Sequence, residues 1–259
     1  MTKLHNIKGI LVDLEGVLYS DNEIVSGASD VISKLKKNEI KLRFLTNTTT
    51  TPRRLIFEKL LNFGFNIEEK EIFTPIIATK NYLRKNFIKR ISLITNTEIT
   101  EEFKEYEITH KNPEVIIMGD IYKNFNWEIL DRIFKLVYLN NSDLIALHQN
   151  KYCIRDGNTS LDLGPFVKVI EYASGKNSIL MGKPDKNFFD LAIANLNIDK
   201  SEILMIGDDI RSDIEGSKNA KFAAIQVKTG KYNDKDLIHP IQPDIRINSI
   251  VDLPETLGL

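Results

Sequence analysis

Short apolar runs recur along this chain, each followed by a stretch of helical periodicity, and this alternation restricts the fold more than any other feature. Gly9-Ile10-Leu11-Val12, Leu42 to Leu45, Ile203 to Ile206 and Phe222 to Val227 are predominantly apolar rather than apolar on every second residue. Strands of that kind need cover on both faces, which points to a parallel sheet with helices on either side. Ala28 to Lys37 places Val31, Ile32 and Leu35 on one helical face. Thr51-Pro52 starts a second helix, because threonine caps free backbone N–H groups and proline is tolerated in a first turn. That helix carries Leu55, Leu60 and Leu61 and stops at Gly64. Further on come an apolar run from Ile179 to Met181, a helix from Lys186 to Leu196 and another near Asp213 to Lys218. The fold class is therefore α/β, a doubly wound parallel sheet built from right-handed βαβ units.

Between about Pro75 and Ser178 the pattern changes to shorter strand candidates, Ser92 to Ile94, Val115 to Met118, Leu144 to Leu147 and Tyr152 to Ile154. The change reads as an α/β domain inserted into the core, with boundaries at 1–76 for the first part of the core, 77–178 for the insert and 179–259 for the second part. One core is thus assembled from both ends of the chain. A length of 259 residues suits a core plus a second module. Trp127, Tyr152, Phe166, Phe188 and Phe189 are expected in apolar cores.

With 35 basic and 36 acidic residues, the charge balance argues against a broad cationic face for nucleic acid. The single cysteine, Cys153, excludes an intramolecular disulfide and reads as a small buried apolar group. Met1 to Lys8 has no long apolar segment and no run is long enough to cross a bilayer, so a cytoplasmic location without membrane partners is expected.

Four segments fall at the carboxyl ends of predicted core strands, where open α/β sheets bind ligands. Asp13-Leu14-Glu15-Gly16 offers two acids two residues apart. Thr46-Asn47 offers a hydroxyl, an amide and backbone N–H groups for phosphate oxygens. Gly182-Lys183-Pro184 sets a lysine on a tight turn. Gly207-Asp208-Asp209-Ile210-Arg211-Ser212-Asp213 is an acidic loop suited to a hard divalent cation. Phosphoryl transfer needs this combination, because an attacking carboxylate and a phosphate repel each other unless cations lie between or beside them. Mg²⁺ takes oxygen ligands, and Asp13 and Asp208 supply carboxylates for it. Lys183 neutralises charge on nucleophile and phosphate, while Thr46 orients the transferring group. Each part separately also reads as a cap, a turn or a solvated charge. Their joint occurrence in this order carries the chemistry.

These four segments resemble the motifs of the haloacid dehalogenase superfamily of Mg²⁺-dependent phosphohydrolases over nearly the whole chain. The insert between Thr46 and Lys183 is similar to the large α/β cap of the members that include p-nitrophenyl phosphatase-like and NagD-like enzymes. Leu144-Ile145-Ala146-Leu147-His148, Leu163-Gly164-Pro165-Phe166, Met181-Gly182-Lys183-Pro184 and Val227-Lys228-Thr229-Gly230-Lys231-Tyr232 resemble one branch of that group. The resemblance implies a Rossmann-like core, a mobile cap that closes over a small phosphorylated substrate, and a homodimer formed through the cap. It implies an aspartyl-phosphate on Asp13, which also ligates the metal, with the backbone carbonyl of Glu15 and the carboxylate of Asp208 as further ligands. Thr46 and Asn47 then contact phosphate, Lys183 stabilises charge, and Asp209 and Asp213 support the metal shell or Lys183. Glu15 departs from the pattern, since many family phosphatases carry aspartate there as general acid and base, and the branch resembled carries serine. Its extra methylene displaces the carboxyl by about an ångström, a misplacement that can cost about a hundredfold in rate. Glu15 is thus a working acid/base, a poor one, or a group turned away.

Substrate choice is expected from the insert, with His148, Lys151, Tyr152, Asp162 and Leu163 as candidates. A lone histidine at a strand end is more often a satisfied structural group. Leu45-Thr46-Asn47-Thr48 is echoed by Ile94-Thr95-Asn96-Thr97. Only the first lies one βαβ unit after Asp13, so the second reads as a decoy. A second function class stays open, a phosphate-binding or regulatory protein that kept the site and lost turnover. A response-regulator receiver fits less well, because the acidic pair Asp208-Asp209 follows Lys183 and the insert is too large. P-loop and dinucleotide glycine motifs are absent.

Overall fold

The structure is a computed structural model that describes residue 4, residues 6–155 and residues 158–259. Of the amino-terminal stretch 1–8, residues 1–3 and 5 therefore lie outside the described residues. The chain divides into two compact units. The first comprises Met1–Thr46, Arg53–Phe73 and Lys183–Leu259, and the second Asn47–Pro52 and Thr74–Gly182.

The first unit is built on a six-stranded sheet in the spatial order Ile245–Ile247, Ala223–Val227, Ile203–Gly207, Gly9–Asp13, Lys41–Leu45, Ile72–Phe73. Every pairing in it is parallel. Gly9–Asp13 is buried along its full length at the centre of the sheet, as its unbroken apolar character requires. Its register sets Val12 opposite Ile206 on one side and Phe44 on the other, and Asp13 opposite Leu45. Helix Ala28–Lys37 buries Ala28, Val31, Ile32 and Leu35, and its basic residues Lys34, Lys36 and Lys37 fall in the last turn, where they oppose the negative end of the helix dipole. The apolar core joins this helix to Ile10, Val12, Phe44, Leu204, Ile206, Ile225 and Val227.

The second unit has its own five-stranded parallel sheet in the order Ile179–Leu180, Asp143–Ala146, Val115–Met118, Arg90–Ile94, Glu107–Ile108, and an antiparallel hairpin of Tyr152–Arg155 with Asn158–Leu161. Ile179–Leu180 differs from expectation. It pairs with Asp143–Ala146 in the second sheet instead of opening the return to the first. A two-residue apolar strand has no periodicity to choose a partner, and the connection from helix Leu163–Ser174 is too short to lead elsewhere. Two expected core aromatics are corrected as well. Trp127 begins helix Trp127–Tyr138 and is 71% exposed, and Tyr152 on the hairpin is 65% exposed, whereas Phe188 and Phe189 are buried. Cys153 is only partly buried. No helix among the described residues is long and apolar enough to cross a membrane.

Candidate active site

Parallel strands bring their carboxyl ends to one edge, and in the first sheet that edge collects the functional residues. Asp13 ends Gly9–Asp13, Thr46 follows Lys41–Leu45, Asp208 follows Ile203–Gly207, and Lys228 to Lys231 follow Ala223–Val227. Lys183 stands just before helix Lys186–Ile193, whose first turn is capped by Asp185 through its carboxylate and Asn187 N–H. After Asp208 the chain turns through a wide π-helical segment, Ile210–Glu215, which is buried at Asp213. Such turns are frequent at functional sites.

Lys183 Nζ donates to Asp13 Oδ1 and to Asp213 Oδ1, each at 2.7 Å. Leu14 N–H also donates to Asp13 Oδ1, at 2.8 Å. Asp213 Oδ2 accepts from Asp209 N–H at 3.1 Å, so the acidic loop closes on itself. Asp208 Oδ2 accepts from Lys231 N–H at 2.7 Å, and Gln226 Nε2 donates to the Asp208 carbonyl at 3.1 Å. Asp208 Oδ1, by contrast, is buried with no hydrogen-bond partner. Carboxylate oxygens of Asp13, Asp208 and Asp213 lie within 4.8 Å of one another. All three residues and Lys183 are buried, from 0% exposure at Asp213 to 7% at Asp13.

Asp13, Asp208, Asp209 and Asp213 outnumber Lys183 and Lys231 and leave excess negative charge in a region shielded from water, and the ionisation equilibria reflect it. Burial, with the nearby Asp213 charge, pushes Asp208 from 3.8 up to about 6. Burial, with the Asp13 charge, pushes Asp213 up to about 7. Asp13 is raised by burial despite Lys183 beside it. Burial pulls Lys183 down, but Asp13 and Asp213 outweigh it and hold the ammonium above its ordinary value. A buried carboxylate oxygen without a donor is costly, and the local excess of negative charge makes it more so. A divalent cation bound by the carboxylate oxygens relieves both, and the donor set is the hard oxygen type such ions prefer.

The remaining predicted residues are placed as follows. Thr46 is buried, and its N–H donates to the Phe73 carbonyl at 3.3 Å. Asn47 is half-buried in the second unit, its Oδ1 against Gly182. Asp209 is used as a cap, its Oδ1 accepting from Arg211 and Ser212 N–H at 2.9 and 3.1 Å. Glu15 is exposed, and its Oε1 accepts from Asp21 N–H at 3.0 Å, across the small hairpin of Tyr19–Ser20 with Glu23–Ile24. In the second unit, Asn96 Oδ1 accepts from Ile99 N–H at 3.2 Å and caps helix Thr97–Thr100, the local role expected of a decoy. His148 and Asp162 are buried there, 3.6 Å apart. Asp162 caps helix Leu163–Ser174, and Arg155 pairs with Asp120 and stacks over Tyr122 at 4.3 Å. Lys151 is exposed and Leu163 buried.

Sequence reasoning gives Lys231 no role beyond its place in a branch-like segment, yet its main chain holds Asp208 and its Nζ stands 3.4 Å from Asp209 Oδ2. Its position just past a core strand, on the same edge as the four recognised segments, was the available signal.

Residues 10–109 match the family model described as haloacid dehalogenase-like hydrolase, and residues 180–253 match a HAD-hydrolase-like model. Haloacid dehalogenase-like hydrolase domain-containing protein 2 of Bos taurus is 35% identical over 236 residues, 90% of each chain. The phospholysine phosphohistidine inorganic pyrophosphate phosphatase of Rattus norvegicus is 31% identical over 263 residues, covering 99% of this chain and 95% of its own. The fold is shared with a p-nitrophenyl phosphatase from Archaeoglobus fulgidus, at TM-score 0.89 and 23% identity over 97% of this chain and 100% of that one. It is shared also with NagD of E. coli K-12, at TM-score 0.86 and 24% identity over 95% and 98%. The acidic strand-end cluster and these relatives agree, and the chain belongs to the haloacid dehalogenase-like hydrolases.

Proposed function

We propose that this hydrolase is a Mg²⁺-dependent phosphatase of small phosphorylated compounds that works through an aspartyl-phosphate on Asp13. The observation that carries the reading is the arrangement of Asp13. Its carboxylate is buried at the sheet edge, one oxygen is fixed by Lys183 and Leu14 N–H, and the partnerless Asp208 Oδ1 lies in the same cluster. Fixing one oxygen orients the other for attack. Asp13, Asp208 and the main-chain carbonyl of Glu15 are the groups to hold Mg²⁺, which when bound supplies positive charge between the carboxylates and the phosphate oxygens.

Asp13 attacks phosphorus, forming an Oδ–P bond as the P–O bond to the leaving group breaks. Water then displaces the carboxylate from phosphorus, giving inorganic phosphate and free Asp13. Lys183, held on its other side by Asp213, stays fixed through both steps and opposes the charge on the equatorial oxygens. Thr46, which follows Lys41–Leu45 at the same strand edge, receives phosphate oxygens.

Glu15 has an oxygen committed to Asp21 N–H, and it lies on the exposed hairpin side. This favours substrates whose leaving groups depart without being protonated, such as aryl phosphates and pyrophosphate, over alkyl phosphates. It also supports a second reading, a phosphate-binding protein with little turnover. Mg²⁺-dependent phosphate release from phosphomonoesters, pyrophosphate and phosphoamino acids tests both, with Asp13→Asn as control. Release lost in the variant supports the phosphatase. Mg²⁺ binding without wild-type release on any compound selects the binding protein.

A further inference from the structure

The Asp208 carboxylate is enclosed by main chain from the turn after Asp13 and from the loop after Ala223–Val227, and the latter lies outside the four motif segments. Gly16 and Gly230 both have positive φ, 85° and 62°, and pack against it. A Cβ on Gly16 would stand 2.6 Å from Asp208 Cγ, and one on Gly230 would stand 2.9 Å from the same atom and 2.6 Å from Gly16 Cα. Real Cβ atoms essentially never approach so closely. Lys231 N–H takes Asp208 Oδ2 at 2.7 Å. Thr229 Oγ1 donates to the Gly16 carbonyl, tying this loop to the turn that follows Asp13. Gln226, one strand-end earlier, holds the Asp208 carbonyl from behind.

We infer that Thr229-Gly230-Lys231 is a positioning clasp for the cation site. One oxygen of Asp208 is immobilised by Lys231 N–H, so only Oδ1 is presented to the metal. The Thr229 hydroxyl fixes the Asp13-to-Gly16 turn in the same frame, so that the carboxylates of Asp13 and Asp208 keep a constant separation. The three residues act through Asp208 and Gly16 and touch neither substrate nor metal. The inference rests on the metal reading proposed above, and it extends that reading to residues that bear no ligand. Groups that orient metal ligands typically contribute about tenfold to a hundredfold in metal affinity.

Mg²⁺ affinity of the full-length protein, measured by titration calorimetry and by the Mg²⁺-induced rise in melting temperature, tests this without recourse to turnover. Thr229→Val keeps the shape and removes the hydroxyl, and Thr229→Ser restores it. The expected result is about a tenfold loss in Thr229→Val, recovered in Thr229→Ser, and a larger loss in Gly230→Ala. Circular dichroism without Mg²⁺ checks that the fold persists, and if Gly230→Ala does not fold, the Thr229 pair decides. Equal affinity in wild type, Thr229→Val and Gly230→Ala overturns the clasp and leaves the metal reading standing. Failure of the wild type to bind Mg²⁺ overturns both.

Discussion

Each unit of this protein buries a cluster of charged side chains, and the two clusters are balanced differently. In the second unit, Arg155 and His148 answer Asp120 and Asp162, and the latter also caps a helix. Arg155 lies beside both acids, Asp162 also accepts from a main-chain N–H, and among the described residues of that unit no buried side-chain oxygen lacks a partner. In the first unit, Lys183 bonds Asp13 and Asp213, Lys231 adds a second positive charge beside Asp208 and Asp209, and Asp208 Oδ1 has no partner. Desolvation costs more in the first, where exposure runs from 0% to 7%, than in the second, where Arg155 and Asp120 are partly exposed. The first cluster leaves part of that cost uncompensated, in keeping with the cation site proposed above, whereas the second pairs its acids locally and reads as architecture.

Breaking the first cluster at Asp13, the proposed nucleophile, is expected to have the largest effect. Asp13→Asn lowers Mg²⁺-dependent phosphate release by at least about a thousandfold, since the attacking oxygen is gone. Lys183→Met comes next. It leaves Asp13 and Asp213 buried without their cation, and destabilises the metal-free fold by about 3–5 kcal/mol near neutral pH, read by urea denaturation. Mg²⁺ recovers part of that loss. Arg155→Met sharpens the contrast. That side chain is 19% exposed, so stability falls by a smaller amount, about 1–3 kcal/mol, and Mg²⁺ affinity is unchanged.

The clusters also answer pH in opposite directions. Asp208 near 6 and Asp213 near 7 lie above the unfolded value of 3.8, so the folded state holds protons that the unfolded chain has released. The metal-free fold therefore loses stability as pH rises from about 4 to about 7. His148 is lowered by burial despite Asp162, so its contribution is lost as pH falls below 6.5. On the proposed metal reading Mg²⁺ displaces protons from the first cluster, so the Mg²⁺-induced rise in melting temperature is expected to grow between about pH 5 and about pH 8. A constant rise across that range would show that the carboxylates are already ionised.

Much of this contrast was legible beforehand, for physical reasons. Gly9–Asp13 announces itself because a central parallel strand is apolar on both faces, and its first polar residue must fall at the ligand edge. Helix Ala28–Lys37 appears over the expected residues because one stripe of four apolar side chains suffices to define it. Ile179–Leu180 was placed with the wrong sheet because two residues cannot encode a partner. The Ile210–Glu215 turn that carries Asp213 to Lys183 has no sequence period, so only the resemblance suggested Asp213 as a support for Lys183, and the fold supplies the geometry of their contact. Thr229-Gly230-Lys231 marks a family branch in the sequence but shows no role there, because it works through a main-chain N–H, a hydroxyl and the absence of side chains, none of which residue type reveals.

The smallest effect belongs to the residue that departs from its family. Glu15 Oε1 holds Asp21 N–H, and Lys59 holds the Asp21 carbonyl at 2.8 Å while its Nζ lies over the Tyr19 ring. Glu15 is thus one of several ties on the hairpin, and a glutamine retains an acceptor for the same N–H. Glu15→Gln is expected to change turnover of p-nitrophenyl phosphate by less than about threefold, whereas loss of a general acid or base typically costs about 10² to 10⁴. Glu15→Asp gives up the reach to Asp21 and frees a carboxyl nearer the strand end. Its expected signature is selective, a rise on alkyl phosphates, whose departing alkoxide needs a proton, and little change on the aryl ester. Equal gains on both classes would mean that the substitution moves the hairpin rather than supplying an acid. A drop of a hundredfold or more in Glu15→Gln would place Glu15 in the proton transfer after all, and the hairpin bond would then be one that the substrate releases.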